Sequence, residues 1–85
     1  MLFRSNKKII NLNISSNSIK ILNVSDTSIT NLANVNIPSL KELRTTNNYI
    51  KFIDKSFPKL ENLYVDFKDF DFYSLKSIPN LRNFS

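Results

Sequence analysis

The chain has 85 residues, a formal net charge of +5 and 41% hydrophobic residues, and it contains no cysteine, histidine or glycine. This composition excludes disulfides, zinc–thiolate sites, cysteine nucleophiles and phosphate-binding glycine loops, and it removes the commonest general base. A chain of this length buries only about 60–65% of the surface of its unfolded form, so one globular core would be marginal, whereas stacked repeats stabilise one another.

The first part of the chain divides into a basic lead-in and a strand-like segment. Residues 1–8 are expected to be a solvated, frayed terminus, and their lysines leave no apolar stretch of signal-peptide length. From residue 9 to residue 24 apolar and polar side chains alternate, which is typical of strands. Turn-forming residues at 15–18 divide this segment. We predict two short strands with a turn between them, residues 9–18 forming an N-terminal strand or hairpin cap.

One short sequence motif, which we call the proline motif, then occurs three times. It consists of an apolar residue, proline, any residue, leucine, two further residues, and leucine or phenylalanine. The copies begin at Ile37, Phe57 and Ile78, 20 and then 21 residues apart, and they use all three prolines. Proline fixes φ, and the residue before it is pushed into an extended conformation. We therefore predict that residues 19–85 form a repeat array whose corners are filled by these three apolar side chains.

Apolar columns recur through this array every 20 or 21 residues. The strand column holds Leu22, Leu43 and Leu63, and the position two residues later is also inward, as strand alternation requires. The chain must then return within about a dozen residues, which favours loops and short helical turns. The predicted inward positions are Ile19, Leu40, Leu60 and Leu81; Leu22, Leu43, Leu63 and Phe84; Val24, Thr45 and Val65; Ile29, Ile50 and Phe70; and Leu32, Ile53 and Tyr73.

Asparagine is expected to act where strands end. Asn48 lies five residues after Leu43, as Asn17 lies five after Leu12, and an inward amide at that point satisfies backbone groups. Thr27 and Lys68 occupy the same column elsewhere. Because glycine is absent, asparagine is also the residue expected at positive φ.

The segment Leu40-x-x-Leu43-x-Thr45-x-x-Asn48-x-Ile50 resembles the leucine-rich repeat, L-x-x-L-x-L-x-x-N-x-I/L. The segments that begin at Ile19 and Leu60 are similar, and Leu81-x-x-Phe84 begins another copy. The sequence departs from the pattern at Thr27, Thr45 and Lys68. The resemblance covers residues 19–85 and implies an α/β-type repeat solenoid of about three to four turns, with a short parallel β-sheet on the concave side and loops and short helical turns on the convex side. It also implies a protein-binding role without catalytic activity of its own.

The outward side chains of the predicted strands are the candidate binding face. Tyr64 and Arg44 are the expected anchors, because Tyr and Arg dominate interface hot spots. The alternative is a solvated sheet face in which Arg44 pairs with Glu42 or Asp66. The candidate binding residues are Glu42, Arg44, Thr46, Asn62, Tyr64 and Asp66, and Asn23, Ser25 and Asn83 are expected on the same face.

Acidic and aromatic residues alternate from residue 66 to residue 73. One interpretation is an exposed patch for a basic partner, or a cation site formed by Asp66, Asp69 and Asp71. The favoured interpretation is that Phe70 lines the core together with Phe67, Phe72 or Tyr73, while the acids face water. A calcium site needs six to eight oxygen ligands and a tight turn, usually with glycine, and this chain has no glycine. No metal is expected, and no cofactor is expected either. Without cysteine or histidine to activate a nucleophile, no enzymatic function is expected.

Another protein is therefore the expected partner, and a structural scaffold or spacer is the close alternative. A basic nucleic-acid-binding module is a further alternative. We see no basic stripe at the repeat period, however, and the acids of the 66–73 segment would repel phosphate. The cations considered for it are Lys7, Lys8, Lys20, Lys41, Arg44, Lys51, Lys55 and Lys59.

The sequence also bears on assembly and compartment. The last predicted strand has no capping element, so its edge is expected to be covered by another chain, by self-association or by further sequence of the same protein. No apolar run approaches the roughly 20 residues of a membrane span. The lack of cysteine and of a signal peptide slightly favours the cytoplasm.

Overall fold

The computed structural model describes residues 1–3, 6–53, 57–66 and 70–85. Over these ranges it is a small α/β-type fold of short parallel strands in two sheets, with one short 3₁₀ helix. The strands are β1 (Ile14–Ser15), β2 (Ile21–Asn23), β3 (Val35–Asn36), β4 (Glu42–Thr45), β5 (Asn62–Val65) and β6 (Asn83–Phe84), and the 3₁₀ helix spans Phe72–Ser77. No helix within the described ranges is long and apolar enough to cross a bilayer.

The larger sheet has four parallel strands in the order β2-β4-β5-β6. Leu22 lies opposite Leu43, Leu43 lies opposite Leu63, and Leu63 lies opposite Phe84. The predicted column of strand side chains is therefore confirmed, since its members occupy neighbouring strands. Parallel neighbouring strands need a long crossover connection. Here each crossover between neighbouring strands of this sheet contains one of the three prolines, shortly before the second strand begins.

The smaller sheet pairs β1 with β3 in parallel, Ile14 lying opposite Val35. The two short strands predicted between residues 9 and 24 are present, and the turn between them is stabilised by Ser16, whose Oγ accepts hydrogen bonds from the N–H groups of Ser18 and Ile19, both at 3.1 Å. The hairpin alternative is wrong for the described residues, because β1 pairs with β3 and not with β2. The reason is that Val35, a buried residue, offers β1 an apolar partner strand.

Residues 1–3 lie along the outer edge of β2. Leu2 forms a parallel bridge with Asn23, the Phe3 N–H donates to the Asn23 carbonyl at 2.7 Å, and the Asn23 N–H donates to the Met1 carbonyl at 2.9 Å. This pairing differs from the frayed terminus expected for this segment. It satisfies main-chain groups that a strand edge would otherwise leave open, and Phe3 packs partly buried against the core.

The core lies beneath the larger sheet and extends to the proline corners. Ile37, Phe57 and Ile78 are each no more than 4% exposed, so the prediction that the residue before each proline fills a corner is confirmed. Ile50 and Phe70 are buried as predicted. The remaining buried aliphatic residues are Leu22, Val24, Ile29, Leu32, Val35, Leu40, Leu43, Ile53, Leu60, Leu63 and Val65.

The predicted inward position of Tyr73 is wrong, because its side chain is 77% exposed. The 3₁₀ helix changes which side chains of this segment face the core. Asp71 begins the helix by accepting a hydrogen bond from the Tyr73 N–H, and Leu75 packs against the core instead. Ser74 lies between them, and its Oγ accepts a hydrogen bond from the Ile53 N–H at 3.0 Å.

Buried polar side chains hold the ends of the strands. Asn48 donates through Nδ2 to the Val24 carbonyl at 3.1 Å and accepts from the Ile50 N–H at 3.1 Å, as predicted. Thr27 in the same column donates to that carbonyl at 2.7 Å. Asn17, in contrast, is exposed. The prediction for positive φ is confirmed at one asparagine and extended to an aspartate, since φ is 51° at Asn47 and 59° at Asp26.

Candidate functional site

The candidate binding face is the solvent side of β4 and β5. Thr45 and Val65 point into the core, so the alternate residues point outward. The strand register then places Glu42 opposite Asn62 and Arg44 opposite Tyr64. The structure thus brings these four predicted residues together on one face, which we call the sheet face and which also includes Thr46 and Asp66 just beyond the two strands.

Arg44 and Tyr64 form the centre of the sheet face. The guanidinium carbon of Arg44 lies 4.4 Å from the centroid of the Tyr64 ring, and the Arg44 Nε donates to the Glu42 carboxylate at 3.0 Å. The pairing of Arg44 with Glu42, which was predicted by the alternative of a solvated sheet face, is therefore present, and the Arg44 side chain is exposed. Because both contacts fix the planar guanidinium, Arg44 has less side-chain freedom to lose when a ligand binds.

Polar contacts extend this face to the adjacent strands. Asn83 on β6 donates through Nδ2 to the Asn62 Oδ1 at 2.6 Å. Thr46 donates through its hydroxyl to the Ser25 Oγ at 3.0 Å, and the Thr46 N–H donates to the same oxygen at 3.2 Å. The prediction that Ser25 faces outward is wrong, since it is only 7% exposed. Its hydroxyl is turned toward the main chain of the next strand, where it serves as an acceptor.

Asp66 lies where the sheet face meets the loops that follow the strands. Its Oδ2 accepts a hydrogen bond from the Asn47 N–H at 2.5 Å, and the Asn47 Nδ2 donates to the Asp26 Oδ1 at 2.6 Å. Three successive loops are therefore tied together by carboxylates and an amide. Asp66 is exposed but contributes to this local structure, which makes it a less available contact than Tyr64 or Arg44.

The acidic and aromatic segment splits between core and surface. Phe70 is buried as predicted, and Phe72 contacts it edge-on with the ring centroids 5.6 Å apart. Asp71 caps the 3₁₀ helix through a 3.0 Å hydrogen bond from the Tyr73 N–H, and Asp69, Phe67 and Lys68 lie outside the described residues. Among the side chains that the structure does describe, no three potential metal ligands are grouped.

A groove of about 360 Å³ lies at the opposite, N-terminal ends of the same strands, and we call it the basic groove. Main-chain bonds place its residues: the Lys20 carbonyl accepts from the Lys41 N–H at 2.8 Å, and the Lys41 carbonyl accepts from the Glu61 N–H at 2.9 Å. The Glu61 carbonyl accepts from the Arg82 N–H at 2.9 Å. The residues that line the groove are Lys20, Lys41, Lys59, Glu61, Asn80 and Arg82.

The sequence-based statement that no basic stripe occurs at the repeat period is wrong. Lys20, Lys41, Glu61 and Arg82 each immediately precede a strand and are 21, 20 and 21 residues apart, so they form one column. Three of its four members are cations. The signal was readable from the residue before each strand, but the cations considered for nucleic-acid binding included Lys20 and Lys41 without Arg82, which completes the column.

The charges in the basic groove are unbalanced. The Lys41 Nζ lies 3.9 Å from the Glu61 carboxylate, and both side chains are well exposed, at 52% and 37%. Lys59 adds a fourth cation, so the groove holds four positive groups against one carboxylate. A pair at this distance and exposure is weak, and the groove is therefore a positively charged surface.

Comparison of the chain with protein-family models, with curated proteins and with solved structures gives no match.

Proposed function

We propose that this chain is a leucine-rich-repeat solenoid that binds another protein through the sheet face. The spacing of its strands supports the repeat, because Leu22, Leu43 and Leu63 pair in register across parallel strands. The proposal assigns the chain no catalytic step and no cofactor. It assigns binding to Glu42, Arg44, Thr46, Asn62, Tyr64 and Asp66.

The observation that carries this proposal is the stacking of Arg44 on Tyr64, at 4.4 Å from guanidinium carbon to ring centroid. An arginine and a tyrosine side by side on an outward face supply large contact area, hydrogen-bond donors and little residual freedom. Such side chains dominate measured interface hot spots. The Arg44–Glu42 pair belongs equally to a solvated structural face, so the experiment below is needed to distinguish the two functions.

The experiment compares partner capture by four versions of the immobilised chain: unmodified, Tyr64→Ala, Arg44→Ala and Tyr49→Ala. Tyr49 is the matched control, because it is 60% exposed but lies outside the sheet face. A protein that is retained by the unmodified chain and by Tyr49→Ala, and lost from the other two, is then purified for affinity measurement. We expect Tyr64→Ala and Arg44→Ala each to weaken binding by about 10- to 30-fold, the effect of a hot spot.

Equal affinity of all four versions would contradict the sheet face as the binding surface. If no protein distinguishes Tyr64→Ala from Tyr49→Ala, the scaffold or spacer function is the better description. In that case the ordered polar contacts of the face serve only to hold neighbouring strands together.

A further inference from the structure

We infer that the basic groove binds an acidic peptide segment, the carboxylates of which are contacted by Lys20, Lys41 and Arg82. This inference deepens the proposed function by naming the chemistry of the partner, and it uses a surface separate from the sheet face.

Lys20, Lys41 and Arg82 are fixed in a row by the sheet, with Glu61 between the last two. These four residues each immediately precede a strand, and main-chain hydrogen bonds of 2.8–3.0 Å hold neighbouring members in register. Neighbouring strands lie about 4.8 Å apart, so the row from Lys20 to Arg82 is about 14 Å long. An extended peptide rises about 3.3 Å per residue, and four or five residues therefore cover the row.

The groove suits a peptide better than a nucleic acid. Among the described residues, those that line the groove are four cations, Glu61 and Asn80, and none of these offers an aromatic ring on which a base would stack. Glu61 stands within the row between Lys41 and Arg82, where it would repel a phosphate chain. A peptide can place a neutral or basic side chain opposite Glu61 and carboxylates opposite the cations.

The groove also adjoins the sheet face. Lys41 is directly followed by Glu42, and Glu61 by Asn62, the first face residues of β4 and β5. A segment bound in the groove is therefore positioned next to the face, so that one partner could occupy both. Two linked contacts of this kind raise the overall affinity above that of either contact alone.

The probe for the groove is fluorescein-labelled hexaglutamate, measured by fluorescence anisotropy at low ionic strength. We expect Lys41→Gln/Arg82→Gln to weaken binding about 3- to 10-fold, the sum of two exposed charge contacts. The matched control is Lys8→Gln/Lys76→Gln, which removes the same charge from two exposed lysines outside the groove. It should change binding less than about 2-fold, because only general attraction is lost. Glu61→Gln should tighten binding about 2-fold by removing the repelling carboxylate.

Three results would overturn the inference. The first is equal weakening by the groove variant and its control, and the second is no binding of hexaglutamate at all. The third is tighter binding of labelled hexathymidylate than of hexaglutamate at the same salt concentration, which would identify the groove as a nucleic-acid site.

Failure of the groove is distinguishable from failure of the sheet face. Tyr64→Ala leaves the lining of the groove intact and should bind hexaglutamate as the unmodified chain does. If the groove variant loses no affinity while Tyr64→Ala loses the protein partner, only the present inference fails. If the groove variant loses hexaglutamate while Tyr64→Ala retains the protein partner, only the assignment of the face fails.

Discussion

The sheet face and the basic groove are built from consecutive positions of the same strands, yet they use charge in different ways. On the face, Arg44 is paired with Glu42 at 3.0 Å and covers Tyr64. In the groove, cations stand beside cations, and the Lys41–Glu61 pair is 3.9 Å long. Adjacent residues such as Lys41 and Glu42 therefore differ in role. Glu42 orders a neighbouring side chain of the sheet face, whereas Lys41 belongs to the groove that we propose binds a ligand.

This difference has energetic consequences. Contacts of the face are fixed before binding, which favours a specific and weakly salt-dependent interface. The groove offers a field that extends about 10 Å at 0.1 M salt and is screened as salt is added. The field is positive, as binding of the proposed acidic segment requires.

The largest expected effect comes from a change that disturbs both surfaces at once. Leu43 is fully buried between Leu22 and Leu63 in β4, the strand that carries Arg44 and follows Lys41. Leu43→Ala should lower the free energy of unfolding by about 2–5 kcal/mol, through lost burial and a cavity. Urea denaturation measures this loss. Leu2→Ala, at a residue that is 64% exposed, should change stability by less than about 0.5 kcal/mol. Similar midpoints for both variants would contradict the central place of β4.

The next largest effect is a loss of stability that should leave the basic groove unchanged. Asn48 forms hydrogen bonds with the Val24 carbonyl and the Ile50 N–H at the C-terminal ends of the strands. The basic groove lies at their N-terminal ends. Asn48→Ala should destabilise the fold by about 1–3 kcal/mol, because the Ile50 N–H loses its side-chain acceptor and the Val24 carbonyl loses one of its two side-chain donors. Hexaglutamate binding by the fraction that stays folded should be unchanged. Asn17→Ala at the exposed equivalent serves as control, and a loss of stability there as large as at Asn48 would contradict the role assigned to the inward amide.

A smaller effect measures how far the face is organised in advance. A double-mutant cycle of Arg44→Ala and Tyr64→Ala should give a coupling energy of about 0.5–1 kcal/mol in the free chain, the value of an exposed cation–π contact. The same cycle with Tyr49→Ala in place of Tyr64→Ala should give a coupling near zero. Equal couplings in the two cycles would mean that Arg44 is not held by the ring.

The smallest effect concerns the ion pair of the groove. Glu61→Gln should lower stability by less than about 0.5 kcal/mol, because Lys41 and Glu61 are solvent-exposed partners. In 1 M salt, where the screening length is about 3 Å, the difference should vanish. The measurement is the urea midpoint at low and high salt. A loss that is larger than that of Asn48→Ala would show that the groove charges hold the fold instead of facing a ligand.

The buried framework was largely predictable from the sequence, because apolar periodicity and burial report the same geometry. Leu22, Leu43 and Leu63 pair as the 20- and 21-residue spacings require, and the residue before each proline fills a corner. The phase within a return segment was not predictable in this way. A 3₁₀ helix with three residues per turn moved Leu75 into the core and Tyr73 out of it.

The pairing of β1 with β3 was missed for a different reason. These strands are two residues long, and neither is preceded by a complete proline motif. Ile14 and Val35 are nevertheless 21 residues apart, as in the other pairs. Of the candidate site, the six face residues were placed by strand alternation, while the basic groove was overlooked. Its column is interrupted by Glu61, and Arg82 was not among the cations considered, so the recurrence of Lys20, Lys41 and Arg82 at one interval was missed.

The strand pairings share one further property, which is their constant offset. Leu2 and Asn23, Ile14 and Val35, and the members of the larger sheet are all joined across 20 or 21 residues. Duplication of one such unit, from one proline corner to the next, would add a strand, a face position and a groove position in a single genetic event. Recognition of longer acidic ligands could then evolve by changing copy number, without redesign of any individual contact.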